Sequence, residues 1–212
     1  CKKGHRDIVQ LLLETGAAVD QAQTQGATPL LIACQDGHLE IIGLLLEAGA
    51  AVEHAAQNGA TPLLIACQQG HLDIVRLLRD AGASLNQATE DGCTPLYIAS
   101  QQGHLDIVRL LLEAVAAINQ ASARGATPLY MACQNGYVEI VRLLLEASAA
   151  LNQARQDGAT PLLIACQDGH LEIIGLLLEA GAAVEHAAQN GATPLLIACI
   201  QGHIEVAKLL SS

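Results

Sequence analysis

The sequence predicts an all-α fold of stacked antiparallel helix pairs joined by hairpin-like loops. The tripeptide Thr-Pro-Leu recurs every 33 residues, and a Gly-His pair, once Gly-Tyr, follows nine residues later. The chain has no Trp, no Phe and only three Tyr, so a large aromatic core cannot form. Its Leu, Ile, Ala, Val and Cys instead suit many small interfaces between thin helices, as in repeat proteins. The Thr-Pro-Leu copies begin at Thr28, Thr61, Thr94, Thr127, Thr160 and Thr193.

Each repeat is predicted to begin with a short helix. In the first copy Thr28 is a residue type favoured at a helix N-cap. Pro29 follows at the first helical position, where its missing N–H costs nothing. The apolar residues after it predict a helix that ends near Asp36, and Gly37-His38 predicts the turn.

A second helix is predicted from Leu39 to about Ala48. Glu40 lies in its first turn, where a negative charge favours the helix dipole. Gly49 predicts a left-handed C-terminal cap, and Asn58-Gly59 predicts a hairpin-like turn in the following loop. Neither helix can bury its apolar face alone, so stacking must supply the core. The residues expected on the buried face are Leu39, Ile41, Ile42, Leu44, Leu45 and Leu46.

The Thr-Pro-Leu opening, the Gly-His turn and the Leu-rich ending resemble the ankyrin repeat family, whose unit is also 33 residues long. The resemblance implies an ankyrin repeat solenoid and a single domain over residues 1–212. Five full repeats occupy roughly 25–189, with partial repeats at 1–24 and 190–212. The chain departs from the family where a His normally follows Thr-Pro-Leu. Those positions hold Leu31, Leu64, Tyr97, Tyr130, Leu163 and Leu196. It departs again where the family has a loop Asp. Those positions hold Gln23, Ala56, Thr89, Ser122, Arg155 and Ala188.

The charge pattern argues against nucleic acid as a partner. The formal net charge is −11, and no basic run exceeds Lys2-Lys3, whereas phosphates require clustered Lys and Arg. Apolar stretches are too short for a membrane span, which needs about 20 residues. No targeting segment is visible. The reduced core thiols described below lead us to expect an intracellular, and specifically cytoplasmic, protein.

The seven cysteines and eight histidines are expected to be structural. Equivalent helices stack about 8–10 Å apart, beyond the roughly 7 Å limit for a disulfide between Cα atoms. The cysteines in one phase of the repeat are therefore predicted to be reduced core thiols, namely Cys34, Cys67, Cys133, Cys166 and Cys199. Cys93 lies in a different phase of the repeat, on the rim that the ankyrin resemblance implies for partner binding. The turn histidines are predicted to bond turn backbone, because their spacing is too wide for one zinc ion. We expect no enzyme activity, no metal and no cofactor.

The resemblance implies a protein-binding module that uses its concave face and loop tips. The residues that distinguish the middle repeats predict where a protein partner binds, because Tyr and Arg commonly anchor interfaces. An alternative for Tyr97 and Tyr130 is that they only fill the family's His position. The predicted binding residues are Glu90, Asp91, Cys93, Tyr97, Gln101, Gln102, Arg124, Tyr130, Gln134 and Asn135. The near-uniform Gln and Ala elsewhere favours a second hypothesis, a passive spacer or scaffold without a partner.

Two long segments of the chain are the same. Residues 26–67 and 158–199 are identical, including exposed loop residues that the fold alone would not hold constant. Duplication of four repeats explains this identity, and an engineered array is the alternative. Neither end shows a polar cap, so we also expect end-to-end self-association through exposed apolar faces. The residues involved are Ile8, Val9 and Leu12 at one end and Ile204, Val206 and Leu209 at the other.

Overall fold

A computed structural model describes residues 1–211, and over that range it has thirteen α-helices and no strand. The predicted all-α fold is confirmed. The helices are α1 (Arg6–Glu14), α2 (Pro29–Asp36), α3 (Leu39–Glu47), α4 (Pro62–Gln69), α5 (Leu72–Asp80), α6 (Pro95–Gln102), α7 (Leu105–Glu113), α8 (Pro128–Asn135), α9 (Val138–Glu146), α10 (Pro161–Asp168), α11 (Leu171–Glu179), α12 (Pro194–Gln201) and α13 (Ile204–Leu210), with a short 3-10 helix at Thr24–Gly26.

The helices belong to two compact units. The first unit is Cys1–Ala116 with α1–α7, and the second begins at Ala117 and contains α8–α13. In the first unit the first helices of the repeats pack in one row, α2 on α4 and α4 on α6. The second helices pack in another row, from α1 through α3 and α5 to α7. The second unit repeats this arrangement, with α8, α10 and α12 in one row and α9, α11 and α13 in the other. The single domain over residues 1–212 stays a prediction.

The first helix of each repeat begins and ends as its sequence predicts. Thr28 has an extended backbone, and its Oγ1 accepts a hydrogen bond from the Leu31 N–H at 3.3 Å. Pro29 is the first helical residue, and Gly37 ends the helix with φ 79°. The same threonine cap and left-handed glycine recur in α4, α6, α8, α10 and α12. The repeat boundaries are therefore set by local backbone chemistry.

The buried face of the second helix is narrower than predicted. In α3 the residues Ile41, Ile42 and Leu45 are buried, whereas Leu39 is largely exposed. The expectation that Leu39 packs in the core is thus wrong, because the first residue of this helix lies at the edge of the stack. Gly49 has φ 85°, which confirms the predicted left-handed cap.

The loops between repeats are held to one another as well as internally. In the predicted hairpin-like turn, the Ala56 N–H donates to the Ala60 carbonyl at 3.0 Å. Asn58 Oδ1 accepts from the Ala60 N–H at 3.1 Å. The Gln57 N–H donates to the carbonyl of Gln25, one repeat earlier, at 3.1 Å. These bonds satisfy loop backbone groups and fix the loop tips next to each other.

The turn histidines do not bond their own turn, which corrects the sequence prediction. His104 Nε2 donates to the carbonyl of Gln68 in the preceding repeat, at 3.2 Å. Its ring also covers Gly70, where an added Cβ would lie 2.6 Å from the imidazole. Gly70 has φ 79°, so glycine is required there both for the left-handed backbone and for the close approach of the ring. His170 makes the same bond to Gln134 at 3.1 Å.

The two ends of the described chain expose part of the predicted apolar faces. Ile8 and Leu12 are exposed at one end, and Ile204 and Leu209 at the other. Val9 and Val206, which the sequence placed on the same faces, are buried. End-to-end association stays a prediction.

Val115 has a left-handed backbone with φ 61°. Its equivalent in the preceding repeat is Gly82, which has φ 89°. A β-branched residue is strained there, so Val115→Gly should raise the free energy of unfolding by about 1 kcal/mol despite the looser unfolded chain. Gly43 lies inside α3 with open space around its Cβ position, where Arg76 stands in α5. Gly43→Arg should add about 1 kcal/mol through helix propensity.

Chemical denaturation of both single variants and the double tests this prediction. The two gains should add, because stability in repeat arrays is nearly local. The matched control is Gly82→Val, which should lower the free energy of unfolding by about the amount that Val115→Gly raises it. A loss of stability in Val115→Gly would contradict the assigned backbone strain.

Candidate functional site

The ten side chains predicted to bind a partner are divided between the two units. Their polar members lie mainly at the surface, and their tyrosines lie in the core. The first unit holds Glu90, Asp91, Cys93, Tyr97, Gln101 and Gln102. The second unit holds Arg124, Tyr130, Gln134 and Asn135.

In the first unit, two exposed carboxylates lie at the tip of a hairpin-like loop. The Thr89 N–H donates to the Cys93 carbonyl at 3.1 Å, which closes the turn around Glu90 and Asp91. The Glu90 N–H donates to the Asn58 carbonyl of the preceding loop at 3.2 Å. The backbone is thus fixed, while both acidic side chains are exposed. This tip presents two negative charges to a partner.

Cys93 lies beside this tip and is half-buried. Its backbone N–H donates to Thr89 Oγ1 at 3.1 Å. Burial raises the pKa of the Cys93 thiol, the hydrogen bond with Thr89 lowers it, and the nearby Asp91 carboxylate raises it further. A nucleophilic cysteine requires the opposite, a lowered pKa that favours the thiolate. The environment of Cys93 therefore suits a neutral contact residue.

The remaining residues of the first group lie on α6. Gln102, the last residue of the helix, is exposed, and Gln101 is half-buried. Tyr97 is only 7% exposed, and its N–H donates to the capping Thr94 hydroxyl at 3.2 Å. Tyr97 therefore offers little surface, as expected if it fills the family's His position.

In the second unit, Tyr130 is the centre of a polar contact that the sequence did not predict. The Tyr130 side chain is only 1% exposed. Its hydroxyl accepts a hydrogen bond from Arg155 Nη1 at 3.2 Å, and the guanidinium carbon lies 5.3 Å from the ring centroid. Arg155 Nη2 also lies 3.2 Å from Asp157 Oδ2. Burial raises the pKa of Tyr130, although its contact with Arg155 lowers it.

Arg155 is therefore the residue that sequence analysis missed. One feature of the sequence pointed to Arg155. It replaces the family's loop Asp in the repeat that follows Tyr130, and Tyr130 itself replaces the family's His. The guanidinium can stack on an aromatic ring and bond the hydroxyl at the same time. Tyr130 thus holds Arg155, a residue of the loop, in place. Its side chain is too buried to offer surface to a partner.

The other residues of the second group are polar. Arg124 is exposed at a loop tip, where its carbonyl accepts from the Gln156 N–H at 3.0 Å. Asn135 is exposed, although its side chain donates to the Met131 carbonyl at 2.9 Å. Gln134 is half-buried, and its carbonyl accepts the His170 bond. Arg124 is thus the side chain of this group with the greatest freedom to meet a partner.

The cysteines largely follow the prediction, with one correction. Four are buried, namely Cys34, Cys67, Cys133 and Cys166. Cys199 was expected to be buried too, but it is exposed, because no further repeat packs over α12 in the described chain. All seven thiols are free.

A thiol reagent should therefore modify two classes of cysteine at different rates. Cys199, Cys93 and Cys1 should react with the native chain before the four buried thiols, which should react only on unfolding, because a reagent cannot reach a sulfur in the core. Peptide mapping by mass spectrometry after brief labelling measures the order. Rapid native-state labelling of Cys67 would show the burial to be wrong.

Within residues 1–211, no group of three or more His, Cys, Asp or Glu side chains is arranged to hold a metal ion. No helix among the same residues is long and apolar enough to cross a membrane.

Comparison with known families agrees with the repeat structure. The family model described as ankyrin repeats (3 copies) matches residues 1–89, 81–155 and 148–212, so its matches extend over the whole chain. No curated protein matches the sequence.

Proposed function

The chain belongs to the ankyrin repeat family, whose members are generally protein-interaction modules, and we propose that it binds a protein partner without catalysis. The observation that supports this function is the hairpin tip of the first unit. There the backbone is fixed by hydrogen bonds, while Glu90 and Asp91 are exposed. Preorganised backbone with free polar side chains lowers the entropy cost of binding.

In each unit we propose a separate binding surface, at the loop tips and the concave side that first helices line in this family. In the first unit it comprises Glu90, Asp91, Cys93, Gln101 and Gln102. In the second unit it comprises Arg124, Gln134 and Asn135. Tyr97 and Tyr130 are buried, so we propose that they support these loops without contacting the partner. We also propose an intracellular location, which the seven free thiols favour.

Charge reversal at the loop tips tests this proposal. Glu90→Lys with Asp91→Lys in the first unit, and Arg124→Glu in the second, should each abolish capture of one specific protein from cell lysate, because tip charges guide recognition. The matched controls are Glu47→Lys with Glu113→Lys, and Arg109→Glu, which make the same charge changes at exposed residues of α3 and α7.

The controls should capture the same protein as the unmodified chain. If the tip variants capture every protein that the unmodified chain captures, the passive spacer becomes the better description of this chain. The near-uniform Gln and Ala of the other loops is what favours that alternative.

A further inference from the structure

Three asparagines of the chain are followed directly by glycine, namely Asn58, Asn135 and Asn190. In such a pair the glycine nitrogen can attack Cγ of the asparagine side chain, because glycine has no Cβ to hinder the approach. A bond forms between that nitrogen and Cγ, and the bond between Cγ and Nδ2 breaks. Nδ2 takes up the proton of the glycine nitrogen and leaves as ammonia. Water then opens the cyclic imide to aspartate or to isoaspartate.

Asn58 and Asn190 are exposed at equivalent positions of the two identical segments. Asn58 Oδ1 accepts from the Ala60 N–H at 3.1 Å, and Asn190 Oδ1 accepts from the Ala192 N–H at 3.0 Å. This donor stabilises the negative charge that develops on Oδ1 as the glycine nitrogen adds to Cγ. Within residues 1–211, no hydrogen bond holds Nδ2 of either residue. The two side chains are therefore equally prepared for the reaction.

The following loop holds the peptide unit between Asn58 and Gly59. The Glu90 N–H donates to the Asn58 carbonyl at 3.2 Å, and the Gly59 N–H donates to the Ala56 carbonyl at 2.9 Å. A Cβ added at Gly59 would lie only 3.0 Å from the Glu90 nitrogen, so the next loop packs directly against this glycine. Closure of the imide requires the peptide unit to rotate, and the rotation would break both hydrogen bonds. Asn58 is therefore protected in the folded chain.

The peptide unit between Asn190 and Gly191 is held on one side only. The Gly191 N–H donates to the Ala188 carbonyl at 2.8 Å, but no N–H within residues 1–211 donates to the Asn190 carbonyl. A Cβ added at Gly191 would meet no atom of another residue within 4 Å, apart from its chain neighbours. Rotation here therefore breaks one hydrogen bond fewer than at Asn58, and no loop in the described chain blocks it.

The third pair lies at the end of α8. Asn135 Nδ2 donates to the Met131 carbonyl at 2.9 Å, so the group that must leave is itself held by a hydrogen bond. The Gly136 N–H donates to the Ala132 carbonyl. Attack by the Gly136 nitrogen would require both bonds to open and the last helical turn to unwind. Asn135 is therefore protected as well.

The aspartate product at Asn190 fits a turn that the chain already contains. Residues 189–193 read Gln-Asn-Gly-Ala-Thr, and residues 156–160 read Gln-Asp-Gly-Ala-Thr, so deamidation makes the two loop tips identical. Asp157 Oδ1 accepts from the Ala159 N–H at 3.1 Å, as Asn190 Oδ1 accepts from its own loop at 3.0 Å. The turn is thus retained, while the loop tip gains one negative charge.

We propose that Asn190 is a site of spontaneous deamidation, which converts its loop tip from neutral to acidic, and that the fold protects Asn58 from the same reaction. Asn190 lies outside the proposed binding surface, so this inference does not depend on the proposed function. Because the sequence around the two asparagines is the same, their rates differ only through the structure. Asn190 should react about tenfold faster than Asn58 in the folded chain, and equally fast in the unfolded chain.

Incubation in heavy-oxygen water, with and without urea that unfolds the chain, measures these rates. Deamidation during incubation incorporates heavy oxygen, whereas any that occurs later, during digestion in ordinary water, does not. Trypsin cleaves after Lys and Arg, so each Asn-Gly pair falls in a different peptide, 7–76, 125–142 or 156–208. Mass spectrometry with fragmentation then follows each site separately.

The matched control is Asn190→Gln, which should remove the label at position 190 and leave the rate at Asn58 unchanged. Asn190→Asp should unfold at the same urea concentration as the unmodified chain. Label in the folded chain at Asn58 or Asn135 as fast as at Asn190 would overturn the inference. So would the absence of label at Asn190 by the time that the unfolded chain is fully labelled. A lower urea midpoint for Asn190→Asp would overturn the assignment of the product to the turn of Asp157.

Discussion

The free energy of unfolding should fall by about 4 kcal/mol between pH 9 and pH 10, because the folded chain holds four cysteines as buried neutral thiols. Burial raises the pKa of Cys34 and of Cys166 from 9.0 to about 12. It raises the pKa of Cys67 and Cys133 still further. In the unfolded chain these thiols lose their protons at their ordinary pKa.

The sign of the effect follows from which state binds more protons. Below pH 9 the thiols are protonated in both states, so their contribution to stability is fully present. As the pH rises above 9 only the unfolded chain releases protons, and each buried thiol then costs about 1 kcal/mol per pH unit. The loss continues until the pH reaches the raised pKa of the folded state.

Urea denaturation at a series of pH values measures this dependence. Cys34→Ala is the matched control, because alanine is the small residue that the family usually places there. It should reduce the fall between pH 9 and pH 10 by about a quarter, and Cys166→Ala should do the same. A pH dependence that these variants leave unchanged would mean that other groups cause it.

Replacement of Tyr130 by alanine should lower the free energy of unfolding by about 3–5 kcal/mol, because a large buried ring is removed and a cavity remains. The variant also deprives Arg155 of its stacking partner and of the hydroxyl at 3.2 Å. Tyr130 thus contributes to stability as a core residue and not as an exposed anchor.

The chain supplies its own control for this substitution. Four other repeats carry a leucine at the position of Tyr130, for example Leu163, which is also buried. Tyr130→Leu should therefore cost less than about 2 kcal/mol, and Tyr130→Phe, which removes only the hydroxyl, about 1 kcal/mol. Thermal or urea denaturation ranks the three variants. A Tyr130→Ala chain of unchanged stability would show that the ring does not support the loop.

Local backbone features could be predicted from the sequence because they depend on a few adjacent residues. A threonine before a proline gives a helix N-cap, and the pattern of glycines identified Val115 as a left-handed residue, which its φ of 61° confirms. The 33-residue period then fixed the order of the helices. The repeat fold therefore required no information about contacts distant in sequence.

The candidate site was less predictable because its contacts join different repeats. The pairing of Tyr130 with Arg155 depends on how one loop lies over the preceding helix, which no local pattern encodes. Within residues 1–211 no repeat covers Cys199, and its exposure there does not follow from its own sequence, since Cys67 in the identical segment is buried. The carbonyls that accept from His38, His104, His170 and His203 likewise lie one repeat earlier.

Four turn histidines, His38, His104, His170 and His203, bond a main-chain carbonyl of the preceding repeat, which has a consequence for how such a chain can change. His38 and His170 occupy identical segments, yet their acceptors are the carbonyls of Lys2 and Gln134, residues with different side chains. A main-chain acceptor is present whatever residue occupies the position. A repeat can therefore be copied beside a new neighbour by unequal recombination without any compensating substitution at this contact. Gene rearrangement can then lengthen or reorder the array while the junction chemistry stays intact.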